Sequence, residues 1–177
     1  GPSSGTLLEV ESTAFPVKAG QGKWTVTGVV EEEQMGGGEH KFTRKSMAKG
    51  AVENVLTVLK AFHSIDVTDF DIHLNFPGGI PVDGPSAGIS IATSIYSAVN
   101  RRPVDNLLAM TGEISVHGAV KPVGGVINKV EAARRAGIKK VLIPRENWLS
   151  MFAAYSDIEV VTVDSLHEVL DCAFVGE

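Results

Sequence analysis

The sequence predicts a mixed α/β (α+β) domain with mixed sheets and flanking helices. Near the amino terminus, apolar and polar residues alternate with the period of two that is typical of half-buried strands. Residues 46–62 instead carry apolar side chains at helical spacing, and the second half of the chain alternates between short apolar runs and helical patterns. Gly1–Gly5 is expected to be a flexible leader or cloning scar, and a single domain is expected to cover residues 6–177.

Two strands and a long helix are predicted in the first part of the chain. The alternating segments place the strands at residues 7–11 and 23–30. The glycine cluster at Gly36–Lys41 does not have the spacing of a phosphate-binding loop. We predict that it forms the exposed turn of an early hairpin. Val52, Val55, Leu56 and Leu59 then mark the buried side of the helix at 46–62.

Strands and helices alternate in the rest of the chain. A strand at residues 70–76 leads to a segment rich in glycine and proline, after which small and apolar residues predict a helix from Ser86 to Tyr96. Ser165 and Glu168 form a capping-box pattern that starts the last helix. The other strands are predicted at 107–114, 139–144 and 158–163, and the other helices at 126–137 and 148–154.

Composition and charge exclude several classes of function. The net charge of −5 provides no basic patch for nucleic acid. No run reaches the roughly 18 apolar residues of a membrane-spanning helix, and neither the G-x-x-x-x-G-K-[ST] nor the H-E-x-x-H motif is present. The single cysteine, Cys172, cannot form an internal disulfide. It is expected to pack in the terminal helix, and it fits a reducing cytoplasm.

The motif PVDGPSAG, at residues 81–88, places a hydroxyl group at the start of a predicted helix. Gly84 and Pro85 favour a tight turn, and Ser86 follows them directly. The first N–H groups of a helix have no partner inside the helix and carry positive partial charge. They can therefore stabilise the oxyanion that forms when a hydroxyl attacks a carbonyl. The same arrangement could bind a phosphate group, so the motif alone leaves both interpretations open.

A second candidate residue, Lys129, lies on a short predicted helix between two glycine turns. Val126, Val130, Ala133 and Gly137 mark a buried stripe on this helix, and Lys129 lies on its flank. Burial disfavours the charged form of a lysine amine, and a neutral amine can accept the proton of a serine. A helical lysine is more often solvated, and this segment alone does not decide between the two.

Together, the segments PVDGPSAG and KPVGGVINKVEAARRAG resemble the proteolytic domain of the Lon protease family. The segments at residues 71–79 and Met110–Ile114 are also similar to that family, and the resemblance extends from about Leu7 to Val175. Val82 stands where many A-type Lon proteins carry lysine, so B-type Lon proteases of spore-forming bacteria are the most similar group. The resemblance implies a ribosomal protein S5 domain 2-like fold. It also implies serine endopeptidase activity on unfolded or damaged proteins.

The resemblance assigns roles to several residues. It implies that Ser86 is the nucleophile and Lys129 the general base of a Ser-Lys dyad. Thr111, in the Thr-Gly-Glu motif, is expected to hydrogen-bond the lysine, although its position also suits an ordinary β-branched strand residue. Main-chain N–H groups from Gly84 to Ala87 are the expected oxyanion donors.

The roles of Asp83 and His73 remain open at this stage. Asp83 suits a turn or helix cap, but it could equally contact Lys129 and keep that lysine charged in a resting state. His73 matches a histidine near the site in some Lon relatives, but a strand histidine is more often a supporting or core residue. Glu113 is expected to be structural.

The resemblance also sets expectations for cofactors and partners. A Ser-Lys dyad needs no metal, so this chain is expected to hold no cofactor, with ATP and Mg²⁺ serving an absent AAA+ motor module. A cytoplasmic homo-hexamer is expected, with no nucleic-acid or membrane partner. Two alternatives remain. A small-molecule kinase-like, phosphate-binding domain would leave Lys129 unexplained, whereas a catalytically silent Lon-like assembly domain would keep both residues without activity.

Overall fold

A computed structural model describes residues 9–29, 38–79 and 83–175. Gly1–Gly5, Gly36 and Gly37 lie outside these residues. Within the described part, three small sheets and four α-helices form the mixed α/β fold that the sequence predicts. The strands are β1 (Glu11–Pro16), β2 (Trp24–Thr27), β3 (Phe70–Asn75), β4 (Leu108–Met110), β5 (Glu113–Ile114), β6 (Val120–Lys121), β7 (Lys140–Pro144) and β8 (Glu159–Val163), and the helices are α1 (Gly38–His63), α2 (Gly88–Asn100), α3 (Val126–Arg135) and α4 (Leu166–Ala173).

The first sheet has the strand order β1-β3-β2, with β3 antiparallel to β1 and parallel to β2. The predicted early hairpin is therefore wrong, because β2 pairs with β3 in parallel and α1 lies between the two strands in the chain. Parallel neighbours require a crossover connection, and α1 supplies it between β2 and β3. Gly38–Lys41, predicted as the hairpin turn, belongs to α1.

The second sheet has the order β4-β7-β8, and all its strands are parallel. The strand predicted at 107–114 is split between two sheets. β4 ends at Met110, and β5 pairs instead with β6 in a separate antiparallel ribbon. The chain changes direction at Thr111 and Gly112, where it turns towards the beginning of α2. This break brings the Thr-Gly-Glu motif to the candidate site.

A hydrophobic core joins the first sheet to α1, α2 and α4. Leu59, Leu74, Ile89, Ile95 and Leu166 are each fully buried in it. Burial of each such side chain contributes about 1.5–3 kcal/mol. A second, smaller cluster packs the apolar face of α3 against β7. The two clusters hold α2, which directly follows Ser86, and α3, which carries Lys129, in fixed positions.

Three local predictions differ from the structure. The α-helix that was expected from Ser86 begins at Gly88, after a 3-10 turn formed by Pro85–Ala87. The helix predicted at 148–154 is a 3-10 segment, Ser150–Ala154. Gly137 is exposed with a φ of +79°, so it ends α3 and does not belong to its buried stripe.

The capping prediction for α4 is confirmed. Ser165 Oγ accepts the N–H of Glu168 at 3.2 Å, and the Glu168 carboxylate accepts the N–H of Asp164 at 3.0 Å. No helix within the described ranges has the length and apolar character that crossing a membrane requires.

Candidate active site

Ser86 lies in the 3-10 turn Pro85–Ala87, immediately before α2. Its Oγ donates to the Asp83 carboxylate at 3.0 Å and lies 3.1 Å from the Asp83 carbonyl oxygen. The N–H of Ala87 donates to the Gly84 carbonyl at 3.2 Å. In this conformation the hydroxyl proton is directed at Asp83, and one of the expected oxyanion donors is already used within the turn.

Gly112 fixes the main chain of this turn from the opposite side. Its N–H donates to the Ser86 carbonyl at 3.0 Å, and its own carbonyl accepts the N–H of Ile89 at 3.1 Å. The Thr-Gly-Glu segment and the beginning of α2 are therefore joined at their backbones. Such a close approach leaves no room for a side chain, and Gly88 stands at the point of contact.

We predict that Gly88→Ala destabilises the domain. A Cβ on Gly88 would lie 2.9 Å from the main-chain nitrogen of Ile114 and 3.3 Å from the Gly112 carbonyl oxygen. Backbone atoms cannot move aside as a side-chain end can, so we expect the free energy of unfolding to fall by about 1–3 kcal/mol. Urea denaturation of the variant and the wild-type chain measures the change.

Gly50→Ala is the matched control for this prediction. Gly50 lies inside α1, and a Cβ there would meet nothing within 4 Å. We expect this variant to be more stable than the wild type by about 0.5–1 kcal/mol, because alanine is the better helix former. Equal effects of the two substitutions would contradict the close packing at Gly88.

Thr111 links the serine turn to the lysine. Its side chain is buried, with 6% of the residue exposed. Lys129 Nζ donates to Thr111 Oγ1 at 3.4 Å, and Thr111 Oγ1 lies 3.5 Å from the Ser86 carbonyl oxygen that it faces. Both distances are longer than those of ordinary hydrogen bonds, so these are weak polar contacts. The Lys129 amine and the Ser86 carbonyl oxygen thus contact the same hydroxyl group, that of Thr111.

α3 places Lys129 at this hydroxyl. Gly125 precedes the helix with a φ of +69°, which a residue with a side chain rarely adopts, and its carbonyl accepts the N–H of Lys129 at 3.1 Å. The preceding turn is held by Asn147, whose side-chain amide bonds both the N–H and the carbonyl of Val123 at 2.9 Å. Val126 and Val130 are buried against the core, which leaves Lys129 half-buried at the edge of the apolar face.

Burial lowers the pKa of the Lys129 amine below its ordinary value, because the charged form loses hydration. The negative charge of Asp83 acts in the opposite direction and offsets part of this shift. The same carboxylate thus accepts the Ser86 hydroxyl and favours the protonated lysine. A protonated amine cannot accept the serine proton.

The structure brings together most of the predicted site residues. Ser86, Thr111 and Lys129 line one open cleft of about 610 Å³, and Asp83 and Gly84 lie in the adjoining turn. His73 has a different environment. It is exposed on β3, and its Nε2 lies 2.8 Å from Thr27 Oγ1. Glu113 is exposed on β5, and Cys172 is half-buried in α4.

Two features of the site were not predicted from the sequence. Gly112 bonds the serine turn through its main chain, and Ser90 Oγ donates to the Met110 carbonyl at 3.4 Å, joining α2 to the end of β4. A signal for the second was present, because Ser90, Ser94 and Ser97 recur at helical spacing and so share one face of α2, in the register that starts at Ser86. In the described part of the chain, no group of three or more His, Cys, Asp or Glu residues is positioned to hold a metal ion.

Comparison with known protein families identifies the class of this domain. It is a serine protease domain, since a family model described as the Lon protease (S16) C-terminal proteolytic domain matches residues 2–176. The chain therefore belongs to the Lon protease family. The resemblance that the two sequence segments indicated is confirmed.

Individual relatives agree with this assignment. Lon protease 2 of Bacillus subtilis is 52% identical over 171 residues, which cover 97% of this chain and 31% of that protein. Archaeal Lon protease of Methanothermobacter thermautotrophicus is 37% identical over 182 residues, covering 100% of this chain and 26% of that protein. Lon protease of Methanosarcina barkeri is 41% identical over 175 residues, which cover 96% of this chain and 20% of that protein. The chain spans less than a third of the length of each of these relatives.

Proposed function

We propose that this domain is an endopeptidase in which Ser86 is the nucleophile and Lys129 is its general base. The observation that carries the proposal is the position of Thr111, whose hydroxyl contacts both Lys129 Nζ and the Ser86 carbonyl in one cleft. The lowered pKa of the Lys129 amine supports it, because a base must be neutral to accept a proton. Membership of a serine protease family supports a serine nucleophile.

The proposed reaction proceeds in two halves. Neutral Lys129 Nζ accepts the proton of Ser86 Oγ as the oxygen attacks the peptide carbonyl carbon, and the carbonyl oxygen becomes an oxyanion. Nζ then donates this proton to the leaving amine, the C–N bond breaks, and an acyl-enzyme ester remains on Ser86. A water molecule, deprotonated by Lys129, hydrolyses the ester and restores the Ser86 hydroxyl.

This reaction requires a different conformation of the serine turn. Ser86 Oγ must leave the Asp83 carboxylate in order to donate to Lys129. The N–H of Ala87 must leave the Gly84 carbonyl if it is to stabilise the oxyanion. Both changes occur together when the 3-10 turn unwinds, so we propose that the described conformation is a resting state with Asp83 as the residue that maintains it.

The proposal also covers the full-length protein. Because the chain spans less than a third of its relatives, we propose that an ATP-driven AAA+ motor module completes the full-length protein. Its substrates would be unfolded or damaged polypeptides, and its assembly a cytoplasmic homo-hexamer. ATP and Mg²⁺ would serve the motor, while the peptide-bond chemistry would need only the residues of this domain.

A serine-reactive phosphonate or fluorophosphonate probe tests the nucleophile directly. We expect covalent modification of the wild-type chain, mapped by mass spectrometry to Ser86, and no modification of Ser86→Ala. Modification at another serine would contradict the assignment. A folded wild-type chain that is never modified, even at alkaline pH, would instead support the catalytically silent assembly domain.

We also predict that peptide cleavage by this 177-residue chain does not respond to ATP. An unstructured polypeptide such as casein should be cleaved at the same rate with and without ATP and Mg²⁺, and a stably folded protein should remain intact. The physical reason is that the sequence has no G-x-x-x-x-G-K-[ST] motif of the kind that ATP-hydrolysing modules use. Gel electrophoresis of timed digests measures the cleavage of casein and of the folded protein. ATP-stimulated loss of the folded protein would contradict the prediction.

A further inference from the structure

The cleft that contains Ser86 continues along one face of α2. Ser90, Ser94, Ser97 and Ala98 line it beyond the serine turn. At about 1.5 Å of rise per residue, the span from Ser86 in the serine turn to Ala98 in α2 gives the cleft a length of about 18 Å. An extended polypeptide advances about 3.3 Å per residue, so the cleft accommodates about five residues.

The two walls of the cleft come from strands at the edges of their sheets. β1 is one of the two outer strands of the first sheet, and β4 is one of the two outer strands of the second, within the described part of the chain. The residues 9–12 and 108–110 contribute to the lining. Edge strands offer main-chain groups with which an extended peptide can pair. The shape of the cleft and its walls therefore favour an extended polypeptide as the occupant.

The residues that line the cleft carry more negative than positive charge. Glu9, Glu11 and Asp105 supply three carboxylates, whereas Lys129 is the only lysine or arginine among the residues that line the cleft. None of the three carboxylates forms an ion pair with another described residue. Glu11 accepts a hydrogen bond from the neutral Asn75 side chain at 2.9 Å, and Asp105 accepts the main-chain N–H of Leu107 at 2.9 Å. Their negative charges are therefore not neutralised within the described structure.

We propose that this cleft selects extended polypeptide segments that carry lysine or arginine within about five residues of the scissile bond. Glu9, Glu11 and Asp105 are the specificity-determining residues, and they act by charge complementarity with the bound segment. The proposal rests on the endopeptidase function proposed above. It adds a preference for basic substrate segments, which Ser86 and Lys129 alone would not produce.

Exposed charge pairs have modest individual effects, so the test must combine them. Each carboxylate should change the preference about two- to fourfold, and the three together about tenfold. Glu9→Gln, Glu11→Gln and Asp105→Asn remove the charges but keep the side-chain oxygens that accept the hydrogen bonds of Asn75 and Leu107. These substitutions therefore measure the effect of the negative charges without removing the hydrogen bonds that the side chains accept.

The experiment uses three fluorogenic peptides with the same cleaved bond, flanked on both sides by lysine, alanine or glutamate. For the wild-type chain we expect a kcat/KM about tenfold higher for the lysine peptide than for the glutamate peptide at low salt. This ratio should fall close to one in the triple variant. It should also shrink in about 0.5 M salt, where screening acts over a few ångströms.

Asp71→Asn is the matched control. Asp71 is an exposed carboxylate of the first sheet that accepts a main-chain N–H, from Lys23 at 3.0 Å, and it does not line the cleft. Its substitution removes one negative charge, as each of the three cleft substitutions does, and the lysine preference should remain. A preference that falls equally in Asp71→Asn and in the triple variant would show a general field effect and would overturn the assignment to the cleft.

A binding measurement separates this inference from the proposed chemistry. Labelled forms of the three peptides are titrated against Ser86→Ala, with and without the three carboxylate substitutions, and fluorescence anisotropy gives the Kd. Tighter binding of the lysine peptide that is lost with the carboxylates supports the inference even if no peptide is cleaved. Equal Kd values for the lysine and glutamate peptides overturn it, even if Ser86 proves to be the nucleophile.

Discussion

Replacing Lys129 with arginine should reduce kcat/KM for a peptide substrate by about 10³-fold, and replacing it with alanine should do the same. Arginine is long enough to reach Thr111, but its guanidinium stays protonated at any pH that the protein tolerates. Alanine provides no base at all. General-base catalysis by a positioned side chain contributes about 10²–10⁴-fold, which sets the expected magnitude. Initial rates with a fluorogenic peptide measure the effect.

The pH dependence of the wild-type enzyme follows from the same residue. In the proposed mechanism the reactive form of Lys129 is the neutral amine, so activity should rise as pH increases through the pKa of Lys129. Burial lowers this pKa, and the rising limb should therefore lie below the pH at which a solvent-exposed lysine loses its proton. Removing the opposing charge with Asp83→Asn should move the limb to still lower pH, because Asp83 holds the pKa up.

Lys140→Arg is the control for the lysine variants. Lys140 is a partly exposed lysine whose amine lies 3.7 Å from the Glu159 carboxylate, away from the cleft. This variant should retain wild-type activity and the same pH profile. If Lys129→Arg also cleaves peptides nearly as well as the wild type, the dyad is wrong. His73 would not replace the lysine without rearrangement, since its ring is hydrogen-bonded to Thr27.

Ser86→Ala should abolish cleavage of peptides and unfolded proteins, with a loss of about 10⁴-fold or more in kcat. The domain should still fold. The main-chain hydrogen bond from Gly112 to residue 86 does not involve the side chain, and the Asp83 carboxylate released by the substitution is exposed and can bind water. Cleavage assays and the thermal unfolding midpoint measure the two expectations together.

Ser156→Ala is the control for the nucleophile. Ser156 is exposed and lies outside the cleft, so its loss should change neither activity nor stability. Substantial cleavage by a folded Ser86→Ala protein, purified without contaminating protease, would show that another residue attacks the substrate.

The sequence was sufficient for the residues whose local pattern has a direct structural meaning. The stripe of Val126, Val130 and Ala133 placed Lys129 at the edge of an apolar face, because helical periodicity alone determines which residues share a side. Ser165 and Glu168 identified the start of α4 for a similar reason, since both capping interactions are local.

The sequence was not sufficient where distant segments determine the conformation. β2 was assigned to a hairpin because its pairing with β3 depends on the crossover through α1. The start of α2 was placed two residues early, since the 3-10 turn at Ser86 is held by Gly112 and Asp83 and not by helix propensity. The strand ending at Met110 was extended to Ile114 because its apolar pattern continues past the point where the chain changes sheets.

The two main-chain hydrogen bonds between Gly112 and the start of α2 have a mechanical consequence. They make the serine turn and the segment that carries Thr111 a single rigid body, although the two are distant along the chain. A motion of the main chain at Ser86 must carry Gly112 and the neighbouring Thr111 along or break these bonds. For protein engineering, a serine and a lysine placed alone in another scaffold would therefore lack the paired backbone segments that hold the Ser86 turn and Thr111 together.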